Sequence, residues 1–97
     1  MLNITKERDT VIIRLPRMFG FPNRTEFRQA TIGNPQGTKY RLDFQEVEKL
    51  DSAALGMLLI LRESAGGMTS DISLVNTRAE VRQLLVLANF QSLFKIP

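Results

Sequence analysis

Apolar residues recur along this chain with two periods. Tyr40, Leu42 and Phe44 alternate with Arg41, Asp43 and Gln45, the period-2 pattern of a strand with one apolar face. Residues 10–15, TVIIRL, are rich in β-branched side chains and stop at Pro16, which cannot donate to a sheet ladder. Leu2, Ile4 and Lys6 alternate ahead of them and ERDT supplies turn residues, so the two segments are expected to pair as a hairpin. DISLV, residues 71–75, is a further strand.

Between the strands the period changes to that of a helix. Val81, Leu84, Leu85 and Ala88 follow the i, i+3, i+4, i+7 spacing, and Thr77 with Glu80 forms a T-x-x-E capping box ahead of them. Another helix is expected over residues 51–65, stopped by Gly66 and Gly67, the residue type that takes the left-handed conformation at a helix end without penalty. A shorter one begins after Pro22, where Asn23 and Glu26 approximate a capping box and Phe27, Ala30 and Thr31 share a face. GNPQG and QEVEK read as loops, and SLFKI near the end either returns as a strand or packs. The order β-β-α-β-α-β-α predicts an α/β fold over residues 1–97, a single compact domain. It has a mixed sheet of about four to five strands packed with three to four α-helices.

Composition narrows the chemistry. Hydrophobic residues at 43% and charged residues at 24% leave enough apolar surface for a core, which argues against disorder. Cysteine and histidine are both absent, so disulfides, thiolate metal sites, the usual zinc ligands and Ser-His or Cys-His nucleophile pairs are excluded. Asp43 and Asp51 are the suggestive carboxylates, but no base, metal cluster or Gly-rich phosphate loop accompanies them. The chain is therefore read as not an enzyme, with no cofactor. Nothing at the start resembles a secretory signal, and the longest apolar run, residues 53–61, is interrupted by Gly56 and shorter than the ~20 residues of a spanning helix. A cytoplasmic protein without membrane insertion is expected.

Charge is uneven. Residues 1–41 hold eight Lys/Arg against three Asp/Glu, a net +5, whereas residues 42–97 hold five against seven, a net −2. A basic half can attract nucleic acid, anionic lipid or an acidic protein, or can be an ordinary solvated face. Aromatic interleaving and a helix-turn-helix pattern are both lacking, so no nucleic-acid partner is expected.

The stretch LDSAALG, residues 50–56, holds the candidate site. Either Asp51 or Ser52 could cap the helix that starts there. With Asp51 as N-cap, Leu50 and Leu55 take the N′ and N4 positions of a hydrophobic staple, which favours aspartate. Ser52 then occupies the first helical position, where its hydroxyl is free of capping duty and can act as a nucleophile. The helix N-terminus around it tolerates an added phosphate. Gly56 costs about 1 kcal/mol relative to alanine inside a helix, so a close approach is expected there, either by the domain's own sheet or by a partner. MFGFP, residues 18–22, places Met18, Phe19 and Phe21 in a loop that is an interaction patch if exposed and part of the core if buried.

LDFQEVEKLDSAALGMLLIL resembles the signature of the STAS domain, the fold of bacterial anti-sigma factor antagonists, and ISLVNTRAEVRQLLVLANFQSLFKI is similar to that family's later strand, helix and ending. In the family signature the second hydroxyl and the glycine stand where this chain has Ala53 and Ala54. The resemblance implies a phosphorylated serine directly after the aspartate, which is Ser52, and a partner-binding surface at Asp51, Ser52, Ala53, Ala54, Leu55, Gly56 and Met57 with Phe19 and Phe21. It implies a partner-switching role in transcription regulation. Unmodified, such a domain sequesters a serine-kinase anti-sigma factor; the kinase releases it by phosphorylation, and a PP2C-type phosphatase restores it. The same fold also implies an alternative, a non-phosphorylated structural subunit of a lipid-transport or other complex.

Overall fold

The computed structural model describes residues 2–97. Four strands form the main sheet: β1 (Asn3–Glu7), β2 (Thr10–Arg14), then, after a two-residue strand β3 (Met18–Phe19) and helix α1 (Arg24–Thr31), β4 (Lys39–Asp43). Another two-residue strand, β5 (Lys49–Leu50), precedes helix α2 (Ser52–Ser64), β6 (Ile72–Val75) and helix α3 (Ala79–Leu87). The spatial order is β1-β2-β4-β6. β1 and β2 form the expected antiparallel hairpin, turned by Arg8 at a left-handed φ of 55°, whereas β2–β4 and β4–β6 are parallel. The chain's end adds a bridge, with the Leu74 amide donating to the Lys95 carbonyl and the Lys95 amide to that of Ile72.

Alternation along the strands decides which side is buried. Val11, Ile13, Tyr40, Leu42, Ile72 and Leu74 lie on one face and are at most 4% exposed. The intervening Ile12, Arg14, Lys39, Arg41, Ser73 and Val75 are half-buried or exposed. Phe27 and Ala30 of α1, Ala54, Leu58 and Leu61 of α2, and Val81 and Leu85 of α3 all join the same core cluster, so the three helices cover a single face. Parallel sheets covered on both faces have near-continuous apolar strands; these strands alternate because water meets the other side. Each large apolar side chain removed from water contributes roughly 1.5–3 kcal/mol.

Three local expectations give way. The Thr77–Glu80 capping box does not form: α3 starts one residue later, with Arg78 as an N-cap that makes no side-chain bond. Leu84, 42% exposed, and Ala88, also exposed, are not part of the inner face, because Val81 and Leu85 alone fill the contact. QEVEK is more than a polar connection. Val47 within it is completely buried, and Lys49–Leu50 pairs in parallel with Met18–Phe19. No helix among the described residues is long and apolar enough to cross a membrane.

Candidate functional site

The β3–β5 ribbon brings the loop after β2 against the start of α2. Asp51 is the N-cap, in extended backbone conformation, and its Oδ1 accepts from the Ala54 amide at 2.9 Å. Leu50 and Leu55, the N′ and N4 residues, are both half-buried against the core. The second oxygen of the same carboxylate, Oδ2, accepts from the Phe21 amide at 3.0 Å. One side chain thus caps the helix and ties down a segment thirty residues earlier. The Phe21 N–H, followed by the Ala54 N–H, holds the Asp51 carboxyl below its ordinary value, since both stabilise the ionised form.

Gly20 explains how the strap comes so close. A β-carbon built on it would overlap the Asp51 carboxylate; glycine is required here by proximity, because its backbone is extended. The turn beyond is closed by the Gly20 amide donating to Asn23 Oδ1 at 3.0 Å and the Asn23 amide donating to the Gly20 carbonyl at 2.8 Å. Asn23 therefore serves the strap rather than capping α1 through its side chain.

Ser52 is exposed at the first position of α2, and its hydroxyl has no hydrogen-bond partner among the described residues. Ser52, Gly56, Leu59 and Glu63 recur at i, i+4, i+7 and i+11, one outward stripe of the helix. Leu59 is 40% exposed on it. No atom lies within 4 Å of a β-carbon built on Gly56, so close packing on the domain's own sheet is not its reason. Beside the helix start, Phe21 is 56% and Met18 70% exposed, and the Arg24 guanidinium lies 3.8 Å from the Phe21 ring centroid.

Several residues expected at this surface belong elsewhere. Phe19 is 1% exposed, packed on Phe27 with ring centroids 5.4 Å apart, and offers no side chain to a partner. Strand pairing turns it inward while Met18 and Phe21 stay out. Ala54 is wholly buried under the first turn, Ala53 and Leu55 are half-buried, and Met57 points into the cleft between α2 and α1. Asp43 is not part of the site. At the end of β4 it accepts from the Gln45 amide and Asn76 Nδ2 and pairs with Arg14 at 3.6 Å, fastening β2, β4 and the loop after β6. The sequence pattern assigned Asn23 a different task, the capping of α1, and did not single out Gly20 or Arg24; a glycine flanked by two phenylalanines was the available signal.

Residues 2–95 match the family model described as Mlab, STAS domain. A STAS-domain containing protein of Pseudomonas aeruginosa is 42% identical over 87 residues, covering 87% of this chain and 84% of the relative. Among solved structures, a Thermotoga maritima protein described as an anti-sigma factor antagonist superposes with a TM-score of 0.81 at 24% identity, covering 98% of this chain and 84% of that one. The Bacillus cell fate determinant SpoIIAA in its phosphorylated form gives a TM-score of 0.71 at 17% identity, over 100% and 91% of the two chains. Its unphosphorylated form, described as an anti-sigma factor antagonist, gives 0.79 at 18% identity over 100% and 88%.

Proposed function

The chain belongs to the STAS domain family, and from that premise we propose that it is an anti-sigma factor antagonist, a protein-binding switch set by phosphorylation of Ser52. The observation that carries this reading is the division of labour at the start of α2. Asp51 supplies the cap, leaving an exposed Ser52 hydroxyl with no structural task. A serine-kinase anti-sigma factor docks on the outward stripe of α2 and on Met18 and Phe21. It transfers the γ-phosphoryl group of ATP to Ser52 Oγ; ADP leaves, and the hydroxyl proton passes to a base on the kinase. A phosphatase reverses the step by hydrolysis.

The phosphate adds about −1.5 to −2 charges in the centre of a small apolar contact and next to the Asp51 carboxylate. Burying that charge against a partner opposes docking, and a cost of about 3 kcal/mol weakens binding more than a hundredfold. The fold survives because the modified atom bonds to nothing inside it. Incubation of the protein with the partner it co-purifies with and ATP, followed by phosphosite mapping, tests the reading. Phosphate on Ser52 alone supports it, and phosphate on another residue with Ser52→Ala equally modifiable defeats it.

A second reading rests on Ala53 and Ala54, which replace the second hydroxyl and the glycine of the family signature, and on the Mlab description of the matching family model. In it the same surface braces another subunit, such as one of a lipid-transport complex, without modification. Recovery of an ATP-binding-cassette subunit, bound equally by wild type and Ser52→Glu, favours this alternative.

A further inference from the structure

Away from Ser52, a cleft of about 660 Å³ opens between α1, α2 and the loop joining α1 to β4. That size falls within the roughly 300–1,000 Å³ of small-molecule sites. Its floor is apolar and buried, made by Phe27, Tyr40 and Leu61, with Met57 and Ile60 rising toward the mouth. Ile60, 71% exposed, adds apolar surface at that mouth.

The far wall is built rather than loose. Asn34 Nδ2 donates to the Ala30 carbonyl at 3.2 Å and to Tyr40 Oη at 3.0 Å, and Tyr40 Oη donates to the Thr31 carbonyl at 3.2 Å. Gly33 and Gly37 turn the loop with φ of 78° and 86°, a conformation glycine adopts without penalty.

The charge of the lining is one-sided. Arg24 and Arg28 line the cleft and no aspartate or glutamate does. Arg28 makes no ion pair and no side-chain hydrogen bond among the described residues, whereas the other exposed guanidinium, Arg24, is turned toward the Phe21 carbonyl and ring. An apolar pocket with an unengaged guanidinium fits a ligand with a hydrophobic body and an anionic head, since the planar fork matches a carboxylate in a bidentate pair. A singly charged head is the least costly to bring beside an apolar floor.

We propose that the α1–α2 cleft binds a small amphipathic carboxylate, its aliphatic or aryl body on Phe27, Met57 and Leu61 and its carboxylate at Arg28. This inference is independent of the switch at Ser52.

Tyr40 is the single tyrosine and there is no tryptophan, so intrinsic fluorescence reports from the cleft itself. Dodecanoate, kept below its micelle concentration, is titrated into the full chain by calorimetry, Tyr40 fluorescence and amide NMR, with dodecanol and acetate alongside. Saturable dodecanoate binding is expected, with shifts at Gly33, Gly37 and Met57, no response to acetate, and dodecanol weaker by about tenfold or more, the size of one charge-assisted hydrogen bond. Arg28→Gln, an exposed position, should lower affinity by a similar factor at unchanged thermal stability, and Ser64→Phe should block the cleft. Absence of saturable binding, equal affinity for dodecanol, shifts confined to α3, or association only with anionic phosphatidylglycerol vesicles overturns the proposal.

Discussion

Asp51 Oδ2 accepts the backbone amide of Phe21 at 3.0 Å, across thirty residues of sequence. The same carboxylate caps α2 through Ala54, so replacing it disturbs two elements together. Asp51→Ala should lower the melting temperature by several degrees and free the Phe21 amide to exchange with solvent. Asp51→Asn, which keeps one acceptor oxygen, should lie between. Thermal unfolding with hydrogen exchange at Phe21 distinguishes loss of the cap alone from loss of both bonds.

That contact also sets a pH dependence. The Asp51 carboxyl is held below its ordinary value of 3.8 by the Phe21 amide first and the Ala54 amide second. A depressed folded pKa gives stability that is present above the unfolded value and is lost as pH falls through the folded one. Denaturation midpoints of the wild type should therefore drop in the acid range below about pH 4. In Asp51→Asn that part of the drop should be missing.

Gly20→Ala places a methyl group where the Asp51 carboxylate stands. Overpacking of this kind costs typically about 1–3 kcal/mol, and the strap must move away to relieve it. Urea unfolding should show the loss, and Phe21 should lose its protection. A fully stable variant with an unchanged Phe21 amide would contradict the described geometry.

The two phenylalanines flanking Gly20 should separate stability from binding. Phe19→Ala empties a core position and should cost about 3–5 kcal/mol. Phe21→Ala changes a largely exposed side chain and should stay within about 0.5 kcal/mol of wild type in urea. If Phe21 belongs to the docking surface, its variant loses partner affinity although it folds normally.

Gly56→Ala gives a prediction of opposite sign in folding and binding. With nothing within 4 Å of the added carbon, helix propensity dominates and the variant should gain up to about 1 kcal/mol. A partner seated on the outward stripe of α2 would meet that methyl group. Unchanged affinity would move the docking surface elsewhere.

The strands, α2 and the Asp51 cap were legible because each is carried by a local period or a fixed offset from a helix start. Gly66 and Gly67 likewise announced the end of α2, and both have positive φ. The β3–β5 ribbon was not legible: two residues are too few to show alternation, and Val47 is hidden among Glu46, Glu48 and Lys49. Thr77 and Glu80 had the spacing of a cap, but the chain entered α3 at Arg78, a choice made by how β6 hands over to the helix. At the site, the cap and the exposed Ser52 could be read. The burial of Phe19 and the clamp on Phe21 needed contacts between segments distant in sequence. The cleft could not be read at all, because it arises from the separation of α1 and α2.

The uncovered side of the main sheet offers a practical opening. Arg41 of the central strand β4 and Ser73 of its neighbour β6 are paired and face away from all three helices, so a spin label or fluorophore mounted there would ride on the main sheet. Such a probe would watch both the Ser52 end and the α1–α2 cleft while obstructing neither.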